Sequence, residues 1–112
     1  MPLQYSLEKI TPHDLERYRR RPEAEDLRKH AVAFTGTPHH HPTEADRLVL
    51  VIDPFSSQAT YYEFFRQDIV YAEEIANLVA PEGETALLVR IWVRNRSRAI
   101  HCTPFVVGFQ PE

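Results

Sequence analysis

A single cysteine, Cys102, excludes an internal disulfide, and with it the cross-linked scaffold of a small secreted domain. Glycine is almost as scarce. Three glycines stand against nine prolines, so the connections are stiff rather than flexible. There is no excess of base either: 13 basic and 16 acidic residues give a net charge of −3. A chain with that balance has no broad positive field, so neither nucleic acid nor an anionic membrane is an expected partner. The longest strongly apolar run, "LVLVI" at 48–52, is far short of the roughly 20 residues that cross a bilayer. The opening "MPLQYSLEKI" lacks the apolar core of a secretory signal, and the cytoplasm is the expected location.

What is present points to one domain over residues 1–112, large enough for a single modest core. It reads in three zones. Residues 1–36 form a helical arm, 37–46 a histidine- and proline-rich loop, and 47–112 a mainly antiparallel sheet. In the arm, "TPHDLERYRRR" offers Thr11 as N-cap, Pro12 in the first turn and Asp14 three residues after the cap. Leu15 and Tyr18 share a face. Pro22 ends this helix and opens a second over "PEAEDLRKHAVAF", with acids in the first turn and Arg28, Lys29 and His30 later, in keeping with the helix dipole.

From Arg47 the pattern becomes strand. "RLVLVIDPF" is apolar on both faces, as in a central strand. "ATYYEFFRQ" alternates, with Tyr62 and Phe64 on one face and Tyr61, Glu63 and Phe65 on the other. A strand continues through about Tyr71, followed by a turn of helix or irregular structure over 72–80. In "TALLVRIWVRNRSRAIHCTPFVV" the set Leu87, Val89, Ile91 and Val93 faces the core. With 95–98 as a hairpin loop, Ile91 lies opposite Cys102, and Trp92 lies beside His101. Pro104 cannot donate to a ladder, which places its strand at an edge. The expected fold is α+β: two short N-terminal helices packed on a four- or five-stranded antiparallel sheet that curls toward a small barrel.

Two stretches carry candidate chemistry. "TPHHHPTE" sets His39, His40 and His41 between Pro38 and Pro42. Imidazole is a good ligand for zinc, copper or nickel, but a closed zinc site needs four ligands, and neither CxxC nor HExxH accompanies the run. It reads as an extended linker between arm and sheet, with no structural metal and no cofactor. The face Arg90, Trp92, Arg94 and His101 is the better binding candidate, because an indole flanked by guanidinium groups suits a flat or anionic small ligand or an acidic protein surface. The competing reading has the arginines paired with acids of the helical arm. Tyr, Trp and Arg are the residues enriched at interfaces. With no recognisable catalytic constellation, the expectation is a small binding or accessory protein that docks on a protein partner or on itself.

The sequence "DPF" at 53–55, "YEF" at 62–64, "DIVYAEE" at 68–74, "VRIWV" at 89–93 and "PF" at 104–105 resembles a group of short, poorly characterised bacterial proteins. Some of that group carry an inorganic pyrophosphatase label. The resemblance implies a divalent-metal phosphohydrolase as the alternative activity. Asp53, Glu63, Glu73 and Glu74 would hold Mg2+, and Arg90 and Arg94 would hold phosphate.

Overall fold

The computed structural model describes residues 7–18 and 24–108. Seven strands form one antiparallel sheet: β1 (Ala31–His40), β2 (Arg47–Ile52), β3 (Thr60–Phe65), β4 (Ile69–Val79), β5 (Thr85–Arg94), β6 (Arg98–His101) and β7 (Thr103–Val106). Their order across the sheet is β4-β5-β1-β2-β3-β6-β7. Among the described residues helix is confined to a 3-10 helix, Pro12–Tyr18, the seven-residue α1, Ala24–His30, and a single 3-10 turn, Arg66–Asp68.

This corrects the expected α+β fold. Among the described residues the sheet has seven strands rather than four or five, its ends β4 and β7 do not pair, and no helical layer covers it. The physical reason lies in "AVAFTGTPHH", which was expected to be half helix and half loop. Val32 and Phe34 turn inward while Ala33 and Thr35 are exposed, a period of two that belongs to a strand. So α1 stops at His30, and the chain passes directly into β1. The expected helix boundary at Pro22 lies outside the described residues.

β1 is the strand on which the fold turns. Its first half, Ala31–Gly36, pairs with β5, whereas Thr37–His40 pairs with β2. On the edge of β1 that faces away from β2 along this second half, the N-terminal segment takes over. His40 donates its amide to the carbonyl of Glu8, and Ile10 donates to that of Pro38. Pro38 thus turns its carbonyl, and the position of its missing N–H, away from β2, so the β1–β2 ladder loses no bond.

The sheet is strongly bent. In a flat sheet β3 and β4 would lie four strand spacings apart, about 19 Å. The chain joins them through Arg66–Asp68 alone, and four residue steps reach at most about 14 Å. The bend folds the inner faces of the two halves together. Leu48, Leu50 and Phe64 from one half meet Ile69, Val89, Ile91 and Val93 from the other in a single core cluster. Leu15 and Tyr18 of the 3-10 helix add to it, as their shared face requires. The Thr11–Asp14 cap forms reciprocally: the Asp14 carboxylate accepts the amide of Thr11 at 2.8 Å and its hydroxyl at 2.9 Å. Those bonds, the backbone one first, hold the Asp14 carboxyl below its usual range.

The expected hairpin of residues 87–94 with 99–104 does not form. β5 pairs with β4 and β1, and β6 pairs with β3 and β7. The inward set Val89, Ile91 and Val93 is nevertheless fully buried. Cys102, expected on the core side, instead sits exposed at the β6–β7 turn with φ 63°. β7, with Pro104, is an edge strand as expected. The stretch 72–80 is strand rather than helix or irregular structure. β4 runs unbroken to Val79, with register shifts between Ile69 and Tyr71 and between Glu74 and Ala76.

Candidate functional site

His39 and His40 end β1 instead of forming a linker, His41 follows it directly, and each has a separate environment. His39 is wholly buried. Its Nδ1 donates to the Thr37 carbonyl at 3.3 Å, leaving Nε2 without a hydrogen-bond partner. His40 accepts from Arg66 Nη2 at Nδ1 (2.9 Å), and its Nε2 approaches Asp14 at 3.6 Å. His41 accepts the amides of Thr43 and Glu44 at Nδ1, so Nε2 carries the proton and donates to Glu63 Oε1 at 2.8 Å. Arg47 lies 3.7 Å from the same carboxylate oxygen. The run therefore ties the end of β1 to the N-terminal 3-10 helix, to β3 and to the following turn. Among the described residues no three His, Cys, Asp or Glu side chains gather as a metal site.

Burial holds the His39 imidazole below its ordinary value of 6.5, with the Thr37 carbonyl opposing and the charges of Lys9 and His40 reinforcing the shift. The unfolded chain takes up this proton near pH 6.5, whereas the folded chain resists it until lower pH. The contribution is thus present above pH 6.5 and lost as pH falls from there toward the folded value. Its slope is at most about 1.4 kcal/mol per pH unit. His39→Leu removes the titration. In urea unfolding at about pH 7 and pH 5, the variant is expected to lose less stability on acidification than the wild type; equal losses would remove His39 as the source.

The Arg90, Trp92, Arg94 and His101 set is divided by the fold. Arg90, Trp92 and Arg94 share β5, but His101 is on β6, with β1, β2 and β3 between them. The three β5 residues are occupied locally. Trp92 Nε1 donates to Glu73 Oε2 at 3.0 Å, Arg90 reaches the same oxygen at 3.6 Å, and Arg94 pairs with the buried Asp68. The partner acids come from β4 and the turn before it, not from the helical arm. The four carboxylates of the alternative reading are also dispersed. Asp53 is in the turn after β2, Glu63 is bound to His41, Glu73 serves Trp92 and Arg90, and Glu74 is exposed on β4. β3 and β4 are separated in the sheet by β2, β1 and β5.

Two features escaped the sequence. The first is an open cleft of about 200 Å3 lined by Tyr62, His101, Thr103 and Phe105. The His101 ring stacks on Tyr62 with centroids 4.2 Å apart, and Phe105 meets Tyr62 edge-on at 5.8 Å. The alternation of Tyr62 and Phe64 was the available signal, but pairing β6 with the wrong strand put His101 beside Trp92. The second is the free edge of β4. Among the described residues β4 pairs only with β5, and beyond its second register shift it presents Ala76–Val79, with Val79 69% exposed.

These features define a bent, open antiparallel sheet with an aromatic cleft on one half and, on the other, an edge of β4 that pairs with no further strand among the described residues. No family model, curated protein or solved structure matches the chain. No helix among the described residues is long and apolar enough to cross a membrane.

Proposed function

We propose that the protein is a small binding module of the accessory kind, and that it assembles with a second copy of itself through the edge of β4. The carrying observation is the division of that edge. Glu73 and Glu74 precede the second register shift, and charges and bulges are the usual guards against strand addition. The stretch Ala76–Val79 has neither, and it ends in the most exposed large apolar side chain of the set Phe55, Tyr61, Val70, Ile75, Val79 and Val106. An uncharged four-residue edge can pair with its own copy about a two-fold axis without bringing like charges together. At the opposite end of the sheet, Pro104 blocks the same addition on β7.

Val79→Lys puts a guard on this edge. Sedimentation of the wild type at micromolar concentration is expected to give a dimer, and the variant a monomer with the same circular dichroism. A monomeric wild type, or a variant that still dimerises, would remove the proposal. The phosphohydrolase reading has no comparable observation in its favour, because its carboxylates are engaged with, or placed beside, different partners.

A further inference from the structure

We infer that the cleft of Tyr62, His101, Thr103 and Phe105 is a binding site for a single-ring aromatic molecule bearing an O–H or N–H donor, a phenol in the simplest case. Three observations carry this. The first is size. A cavity of roughly 150 Å3 holds a benzene ring, so an open cleft of about 200 Å3 has room for one ring with a small substituent. The second is the wall. Tyr62 carries the stacked His101 ring at 4.2 Å and meets Phe105 edge-on at 68°, so an entering ring finds the His101 and Phe105 rings, standing on Tyr62, as its aromatic neighbours. Phe34 and Phe64 back Tyr62 at 5.4 and 5.7 Å and fix its position.

The third observation sets the polarity of the ligand. His101 Nδ1 lies 2.9 Å from the Tyr61 carbonyl oxygen, which can only accept. Nδ1 must therefore carry the proton, and neutral imidazole then presents Nε2 as an acceptor. Among the described residues Nε2 has no hydrogen-bond partner, and the ring is half-buried and lines the cleft. A half-buried acceptor beside aromatic walls discriminates between a ligand that donates to it and one of the same shape that cannot.

The measurement is titration of the protein with phenol and with toluene, followed by aromatic chemical shifts at about pH 8, where a free imidazole is neutral. Phenol is expected to saturate shifts at Tyr62, His101 and Phe105 with a dissociation constant of order 1 mM, and toluene to bind about tenfold more weakly. His101→Phe keeps a ring against Tyr62 but deletes the acceptor, so it is expected to abolish the preference for phenol. Phe105→Ala is expected to weaken both ligands while preserving their ratio. Equal binding of the two ligands by the wild type overturns the assignment, as does a preference that survives in His101→Phe, or shifts that do not saturate.

Discussion

Replacing Gly36 with valine is expected to destabilise the protein by about 3 kcal/mol, although valine is the better strand former of the two. Gly36 sits where β1 changes partners, and β2 crosses close to it. A Cβ at this position would lie 2.7 Å from the Val51 carbonyl oxygen and 2.9 Å from Leu50 Cγ. The first contact is with backbone that is already held in the β1–β2 ladder, so it cannot move aside as the end of a long side chain could. The backbone φ of Gly36 lies outside the left-handed region, so the need for glycine is one of space alone. Alanine carries the same Cβ and is expected to cost about 1–3 kcal/mol. Urea unfolding of both variants checks this. An alanine variant as stable as the wild type, or more so, would show that the two halves of the sheet have room to separate at the bend.

The double variant His39→Ala/His41→Ala is expected to lose about 4 kcal/mol, and chelation of the wild type to change nothing. His39 leaves a cavity in a fully buried position, worth about 2 kcal/mol on the scale of core truncations. His41 removes the proton donor to the Glu63 carboxylate, a charge-assisted bond in a mostly enclosed site, worth about 2 kcal/mol. The backbone amides of Thr43 and Glu44 are exposed and turn to water, so they add little. Thermal and urea unfolding with and without a chelator make the comparison. A wild type that loses the same free energy on chelation as the variant loses by substitution would establish a metal in place of these bonds.

The parts of the fold legible in the sequence are those determined by near neighbours. Thr11 and Asp14 form their cap because the two groups are three residues apart and need nothing else. "RLVLVI" reads as a doubly covered strand because both alternating sets are apolar, and Leu48–Val51 are all buried. β4 was opaque for a specific reason. Its register shifts at Val70 and Ile75 each break the period of two, and Glu73 and Glu74 interrupt the apolar set, which leaves a pattern close to helical spacing. β1 was hidden by Pro38, which is harmless only because the N-terminal segment, not β2, lies along that edge.

The candidate sites failed at the next level, that of which strand lies beside which. The burial pattern of β5 was readable, but its neighbours β4 and β1 are set by contacts distant in sequence. Pairing β5 with the next strand in the chain puts His101 beside Trp92, whereas β6 lies against β3 and β7. The acids that occupy Arg90, Trp92 and Arg94 lie 17 to 26 residues earlier, Asp68 in the turn before β4 and Glu73 in the part of β4 that the sequence did not show as strand.

Because β1 supplies one half of its hydrogen-bonding length to β5 and the other half to β2, neither half of the sheet has a complete ladder without it. The two halves also share one core. Separation into independently stable pieces would require β1 to be counted twice, so the molecule has a single cooperative unit despite its open architecture. In native-state hydrogen exchange, the ladder amides of β1 on both sides of Gly36 should therefore open only with global unfolding, at one common free energy, rather than in two steps separated by the bend.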